Sequence, residues 1–186
     1  PPGCRGRRTG SAPGEESVTE AAAEQTYLFE KRVFEREHTV VSGNTFVSLA
    51  EQYWGDKFLW PVMYLDNRES FPNPNYLAPG QRVDIYSDPV GGELAQAERE
   101  YILDAYTEVY HVYRDIGQEL IERGKESSTP YFSNYGFWRM MEARTVIYSA
   151  TKYDPDFLEK VRPELEGRDY EILQKYIDYH GPFDGF

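Results

Sequence analysis

Between residues 38 and 56 the spacing of apolar positions changes from the period of a strand to that of a helix. Residues 38–41 (HTVV) are rich in β-branched side chains and end at Ser42-Gly43-Asn44, a turn signal, so they are predicted to form a strand. Thr45 suits the N-cap of the helix that follows, and Gly55-Asp56 suits its end. The apolar face of this first helix comprises Phe46, Leu49, Ala50 and Tyr53.

A second helix and a second strand complete this unit. Apolar residues at helical spacing predict a helix from about Leu59 to Asn67, whereas residues 72–80 (PNPNYLAPG) hold too many prolines for regular structure. Residues 81–86 (QRVDIY) alternate between polar and apolar side chains, as a half-buried strand does. The predicted order is strand, helix, helix, strand, with the strands antiparallel and both helices on one face.

Beyond a linker at residues 87–93 the pattern is helical almost to the end of the sequence. The first of these helices is expected to end at Gly124, and residues 126–136 are predicted to form a loop. Residues 137–152 carry apolar side chains on more than one face, which is typical of a buried central helix. The stripe that defines the first helix consists of Ile102, Ala105, Tyr106, Val109, Val112, Tyr113, Ile116 and Leu120.

Two further helices are predicted before the C-terminus. One has Asp154 as its N-cap and Pro155 at its first position, and the other covers residues 168–180 (RDYEILQKYIDYH). The expected fold class is therefore α+β. It combines a βααβ domain at residues 33–86 with a small all-α helical bundle at residues 92–186.

The first 32 residues differ in composition from the rest. Residues 1–20 are mostly Gly, Pro, Ser and charged residues without an apolar period, so residues 1–32 are predicted to be a flexible N-terminal tether. Helix formers at residues 21–36 fit either a short helix or a leading strand segment. Cys4 is the single cysteine, which excludes an intrachain disulfide. Its PPGC context makes it a candidate lipid anchor, and the alternative is a free thiol in the tether.

The net charge of −12 is unevenly distributed, because residues 87–186 contain eleven basic and twenty acidic residues. Such an acidic chain argues against binding nucleic acid, whose phosphates require Lys and Arg, and against docking on anionic lipid head groups. Solubility is the simplest role of this charge. No stretch approaches the roughly 20 apolar residues that a transmembrane helix requires.

Residues 38–86 resemble the lysin motif, or LysM domain. The resemblance rests on HTVVSGNTFVSLAEQYWGD at the start of the unit and on LDNRE and NPNYLAPGQRVDIY toward its end. Asn44 replaces the commoner Asp, Phe46 stands where Leu is usual, and Ala78 stands where the family often has a larger residue. The resemblance implies binding to N-acetylglucosamine polymers, which in bacteria are the glycan strands of peptidoglycan.

In the LysM family the ligand lies in a shallow groove between the loop after the first strand and the loop before the second. Asparagine amides can donate and accept hydrogen bonds with an N-acetyl sugar, and Tyr76 or Phe46 can cover its apolar face. The same turn and cap residues serve the fold without any ligand, and Trp54, Trp60 and Asn67 are expected to be structural. The resemblance places the glycan-binding residues at Ser42, Gly43, Asn44, Thr45, Phe46, Asn73, Pro74, Asn75, Tyr76 and Leu77.

The sequence contains no recognisable catalytic motif. Its acidic residues fall on polar helix faces, and His38, His111 and His180 are widely spaced without a metal-ligand pattern. The chain is therefore predicted not to be an enzyme and to need no cofactor. A cell-wall hydrolase is the least favoured alternative.

The helical half is rich in tyrosine, a residue enriched at protein interfaces. Its tyrosines exceed what so small a bundle can bury, so a protein-binding surface is expected there, although exposed tyrosines are also ordinary. They are Tyr101, Tyr106, Tyr110, Tyr113, Tyr148, Tyr153, Tyr170, Tyr176 and Tyr179.

Together these features predict a non-catalytic protein of the bacterial periplasm or cell envelope. It would bind peptidoglycan or another N-acetylglucosamine polymer and anchor itself or a protein partner to the cell wall. The alternative uses the LysM fold as a scaffold that binds proteins within a large periplasmic assembly, such as a flagellar motor or a secretion machine.

Overall fold

The computed structural model describes residues 32–185. The predicted tether up to residue 31 and the candidate lipid anchor Cys4 lie outside the described residues. The fold is mixed α/β, with a two-stranded antiparallel sheet and several helices. Among the helices of residues 32–185, none combines the length and the apolar character needed to cross a membrane.

In the sequence, the first two helices lie between the two strands, and the remaining helices follow β2. Strand β1 covers Phe34–Thr39 and β2 covers Arg82–Tyr86. Between them lie α1 (Phe46–Trp54), a 3₁₀ turn (Lys57–Leu59) and α2 (Trp60–Asp66). After β2 come α3 (Gln96–Ser127), α4 (Pro130–Ala150), α5 (Phe157–Val161), a second 3₁₀ turn (Arg162–Glu164) and α6 (Asp169–His180).

The sheet starts earlier in the sequence than predicted. Phe34 pairs with Tyr86 and Thr39 with Arg82, with an irregularity between Phe34 and Arg36. The strand FEREHT is rich in charged residues, which by themselves do not favour strands. Pairing with β2 outweighs that intrinsic preference, which is weak in sheets compared with packing and pairing.

Helix α1 has the ends that its sequence predicts. The Thr45 hydroxyl accepts a hydrogen bond from the Ser48 N–H at 3.0 Å, and the Ser48 hydroxyl oxygen accepts one from the Thr45 N–H at 2.9 Å. This reciprocal pair satisfies two backbone donors that the helix itself leaves free. Gly55 ends α1 at φ 73°, in the left-handed region that favours glycine.

Asn67 has the structural role predicted for it. Its side-chain amide donates to the carbonyl oxygens of Met63 and Asp84, both at 2.9 Å, and its Oδ1 accepts from the Asp84 N–H at 2.7 Å. The buried side chain therefore ends α2 and joins it to the middle of β2.

The long helical hairpin corrects two predictions. Helix α3 continues through Gly124 to Ser127, and α4 begins at Pro130, so neither a helix end at Gly124 nor a loop at residues 126–136 is present. A Cβ atom on Gly124 would collide with Ser133, and one on Gly136 would lie 2.6 Å from the Gly117 carbonyl oxygen. These glycines allow α3 and α4 to approach closely, a tertiary role that their local sequence does not reveal.

This close approach makes Gly136→Ala destabilising. The new Cβ would also lie 2.6 Å from Ile121 Cγ1. Because backbone atoms of the facing helix must move, the overpacking cost is expected in the upper part of the range of about 1–3 kcal/mol, so a net loss of about 1–2 kcal/mol remains after up to about 1 kcal/mol of better helix propensity. Urea denaturation measures the change. Gly91→Ala is the control, because its Cβ would meet only Glu98 Oε1 at 3.7 Å. Unchanged stability in Gly136→Ala would show that the helices are not this close.

Helix α4 is not the buried central helix that its pattern predicts. One face is buried, at Met140, Ala143, Val146, Ile147 and Ala150. Five other aromatic or apolar side chains face outward and are between 44 and 60 % exposed, namely Tyr131, Tyr135, Phe137, Trp138 and Met141. Apolar residues on several faces therefore reflect a surface rich in aromatic rings.

The C-terminal helices follow the prediction only in part. Helix α6 lies within one residue of the predicted span, but α5 begins at Phe157, and Asp154 is not its N-cap. Instead, Asp154 Oδ1 accepts a hydrogen bond from the Asp156 N–H at 3.0 Å, in a turn that precedes the helix. A side chain two residues before a backbone N–H favours this local turn over a helix start.

Most of the tyrosines in the helical half contribute to the core. Tyr106, Tyr110, Tyr113 and Tyr153 are buried, whereas Tyr176 and Tyr179 are exposed. The remaining three of the nine, Tyr101, Tyr148 and Tyr170, are half-buried and pack against the core. Tyrosine is thus used here more for packing than the sequence suggests.

Residues on both sides of the predicted linker share one hydrophobic core. The Tyr106 hydroxyl donates to the Phe58 carbonyl oxygen at 2.6 Å, and the ring of Trp60 packs edge-on against Tyr113. Trp54 and Trp60, both expected to be core residues, are half-buried at its margin. The division into residues 33–86 and 92–186 stays a prediction about folding units, which in space lie against each other.

Candidate functional site

The two loops predicted to bind sugar leave the same end of the sheet. Thr39 pairs with Arg82, and beyond this pair the Val40 N–H donates to Gln81 O and the Gly80 N–H to Val40 O, both at 2.8 Å. The first loop (residues 41–45) and the second loop (residues 71–80) therefore diverge from adjacent backbone positions. The two loops are distant from each other in the sequence, and the antiparallel pairing of β1 with β2 brings their ends together.

Phe46 joins the bases of the two loops instead of facing a ligand. It is 1 % exposed, and its ring packs edge-on against Phe71 at 5.4 Å and Tyr64 at 5.5 Å between centroids. Such edge-to-face pairs add to the burial of a core. Of the two aromatic residues predicted to cover a sugar, only Tyr76 is accessible, at 67 % exposure.

Asn44 holds the first loop in shape. Its Oδ1 accepts from the Val41 N–H at 2.8 Å and lies 2.9 Å from His38 Nε2. Because this oxygen can only accept, Nε2 carries a proton, and in a neutral ring Nδ1 accepts from the Tyr53 hydroxyl at 2.8 Å. Asn44 is therefore a positioning residue, whereas the neighbouring Ser42 and Gly43 are exposed.

The second loop is fixed to the helical half through Asn75. The Asn75 amide donates to both carboxylate oxygens of Glu142 on α4 at 3.0 Å, and its Oδ1 accepts from the Tyr113 hydroxyl of α3 at 2.7 Å. The Asn75 N–H in turn donates to Asn73 Oδ1 at 3.0 Å. The loop therefore has a defined position relative to α3 and α4.

Burial raises the pKa of both groups that hold Asn75. It raises the pKa of Tyr113, and the Glu142 carboxylate raises it further, so the hydroxyl keeps its proton and donates. Burial also raises the pKa of Glu142, while Arg139 and the Asn75 amide oppose the increase. Arg139 lies 2.7 Å from the Glu142 carboxylate.

The ten predicted site residues thus separate into three groups by accessibility. Ser42, Gly43, Thr45, Asn75 and Tyr76 are exposed, although the side chains of Thr45 and Asn75 have internal partners. Asn44, Asn73 and Leu77 are half-buried, and Phe46 and Pro74 are buried.

Within residues 32–185, no group of three or more His, Cys, Asp or Glu side chains is placed to hold a metal ion.

Sequence reasoning missed the partners of Asn75, because Glu142 follows it by 67 residues and belongs to a different predicted unit.

The chain matches no protein-family model, no curated protein and no solved structure. The LysM resemblance of residues 38–86 accordingly rests on their own sequence motifs.

Proposed function

We propose that this protein is a non-catalytic binder of N-acetylglucosamine polymers. In this proposal residues 33–86 form a LysM domain and residues 92–186 a helical bundle that packs against it. The observation that supports it most is the origin of both loops at one end of the sheet, with Tyr76 exposed on the second loop. An exposed ring beside backbone donors and acceptors matches a sugar, which has an apolar face and polar edges.

In this proposal fewer residues contact the glycan than the resemblance implies. Ser42, Gly43 and Tyr76 would touch it, together with exposed backbone of the loops. Asn44 and Asn75 would act as positioning residues, since their amides already bind other parts of the chain. Phe46 and Pro74 would support the loops from beneath.

Peptidoglycan of a bacterial cell envelope is the proposed ligand, and attachment of the chain or of a partner to the cell wall is the proposed role. A single shallow groove buries little area, so its affinity for one short glycan is expected to be low. Many equivalent sugar units on one polymer raise the apparent affinity without new contacts.

A second candidate keeps the same fold as a scaffold for protein binding in a periplasmic assembly. It is favoured by the internal partners of Asn44 and Asn75 and by the burial of Phe46. These residues would then be required for the shape of the loops alone.

Tyr76→Ala distinguishes the two candidates. If Tyr76 stacks on a sugar ring, its loss weakens co-sedimentation with purified peptidoglycan sacculi about tenfold, the range of an interfacial aromatic anchor. Tyr179→Ala is the matched control, because Tyr179 is an exposed tyrosine near the end of α6. Equal sedimentation of Tyr76→Ala and wild type would contradict the loop site. Failure of the wild-type chain to sediment would contradict glycan binding altogether and favour the scaffold.

A further inference from the structure

A cleft on the outer face of α4 has no role in the function proposed so far. It has a volume of about 380 Å³ and is open to solvent. The aromatic members of its lining recur at helical spacing and therefore share one face of α4. The lining consists of Tyr131, Asn134, Tyr135, Trp138, Arg139 and Glu142.

The rings of this cleft are not part of the core. Trp138 is 60 % exposed, and the rings of Tyr131 and Tyr135 lie with their centroids 4.6 Å apart. Gly136 and Met140, which pack against α3, are buried on the opposite side of the helix. Exposed aromatic groups of this density are unusual on a soluble surface and mark sites of interaction.

The charges of the cleft favour a neutral ligand. Residues 130–141 contain no Asp, Glu or Lys, in contrast to the acidic character of the rest of the helical half. Arg139 and Glu142 lie 2.7 Å apart and largely neutralise each other. Flat rings with a few fixed polar groups are the features of a site for a ligand that has apolar faces and hydroxyl or amide edges.

The cleft adjoins the second loop through Glu142. Glu142 closes one end of the cleft and accepts both hydrogen bonds from the Asn75 amide, next in sequence to Tyr76. From Glu142 to Tyr131 the cleft follows α4 for about 16 Å, at the rise of about 1.5 Å per residue. That length exceeds the width of a single sugar ring several times.

We propose that this cleft is a second glycan subsite, which binds further N-acetylated sugar rings of a chain whose first rings lie at the loops. Trp138 and Tyr135 provide stacking surfaces, and Asn134 provides a hydrogen-bonding edge. The inference rests on the proposed function and extends it from a loop site to an elongated one. Affinity should therefore rise with the length of the glycan, because a second subsite adds to the first.

Calorimetric titration with the disaccharide and the hexasaccharide of N-acetylglucosamine tests this subsite. For the wild-type chain we expect tighter binding of the hexasaccharide. Trp138→Ala should lose about tenfold in hexasaccharide affinity and leave disaccharide affinity unchanged. Trp138→Phe, which keeps a ring, should retain most of the affinity, and Tyr179→Ala should bind like wild type. Circular dichroism verifies that each variant is folded.

Tryptophan fluorescence provides an independent reading. The hexasaccharide should change the emission of the wild-type chain, and this change should disappear in Trp138→Phe although binding persists. Wild-type hexasaccharide affinity in Trp138→Ala would overturn the subsite while leaving the loop site intact. Absence of any sugar binding by the wild-type chain would overturn the loop site as well. Self-association that Trp138→Ala abolishes, with sugar binding unaffected, would identify the cleft as a protein interface and overturn the proposal.

Discussion

Asp169→Asn is expected to lower the free energy of unfolding by about 3 kcal/mol, the lower end of the cost of breaking a buried ion pair. The Asp169 side chain is 1 % exposed and lies 2.7 Å from Arg144 Nε and 3.3 Å from Arg114 Nη1. It also accepts a hydrogen bond from the Tyr110 hydroxyl at 3.0 Å. An amide in its place would direct N–H groups toward these donors and leave two arginines without their buried counter-charge.

Tyr110 links the Asp169 carboxylate to the backbone of Glu166. Burial raises its pKa, the Glu166 N–H opposes that increase, and the Asp169 carboxylate raises the pKa again, so the hydroxyl stays protonated. It can therefore donate to Asp169 while accepting from the Glu166 N–H at 2.7 Å. Through these bonds one carboxylate joins α3, α4 and the start of α6.

Urea denaturation of Asp169→Asn measures the expected loss. Asp178→Asn is the control on the same helix, because Asp178 is exposed and accepts a hydrogen bond from the Gln174 side-chain amide, one turn away, at 2.7 Å. A loss below about 0.5 kcal/mol in Asp169→Asn, the usual size of a surface substitution, would show that Asp169 does not organise the helices.

Arg32→Met is expected to lower the free energy of unfolding by about 3–5 kcal/mol, because it leaves the buried Asp66 carboxylate without its partner. Arg32 Nη1 lies 2.7 Å from both oxygens of Asp66, and the two side chains are 6 % and 4 % exposed. The guanidinium also lies 5.0 Å from the ring of Trp54 and 5.8 Å from that of Tyr86. Arg32 thus joins the segment before β1 to the end of α2.

The pH dependence of this loss has a definite sign. Burial raises the pKa of Asp66 and Arg32 opposes the increase, so removing Arg32 raises this pKa further. A carboxyl whose pKa is raised on folding favours the folded state below its unfolded pKa, and this contribution is lost as the pH rises through the folded pKa. The cost of Arg32→Met should therefore be largest at neutral pH and shrink in acid.

Replacing both partners gives the sharpest control. Arg32→Met combined with Asp66→Leu removes the unpaired charge, so most of the stability should return, as it does when buried ion pairs give way to apolar residues. Denaturation at neutral and acidic pH compares the single and double variants. A double variant as unstable as the single one, or a cost that does not vary with pH, would refute the role assigned to this pair.

The elements that sequence reasoning predicts well are those that local chemistry determines. The cap at Thr45 and the left-handed Gly55 each follow from neighbours within a few residues, as does the hydrogen bond of Asn67 to Met63 at the end of α2. The prediction that a helix ends at Gly124 is wrong because the role of this glycine depends on a distant residue, Ser133 in the next helix. Aromatic residues that face outward produce the same spacing of apolar positions as residues that face a core. The sequence of α4 therefore predicts a buried helix, although only one of its faces is buried.

The candidate site shows the same limit. Its loops could be located from sequence motifs, but the sequence does not reveal that Phe46 points into the core or that Asn75 is bound by α3 and α4. These contacts join residues that are distant in the chain. Under the proposed function the helical half would matter for binding, because it holds the second loop in position and places the α4 cleft next to it.

Mapping backbone amide chemical shifts during titration with the hexasaccharide of N-acetylglucosamine tests the central claim most directly. Glycan binding at the loops predicts the largest changes at Ser42, Gly43 and Tyr76, with smaller ones along the α4 cleft. A spectrum that does not change at high sugar concentration, or changes confined to surfaces away from both loops, would contradict the proposed function.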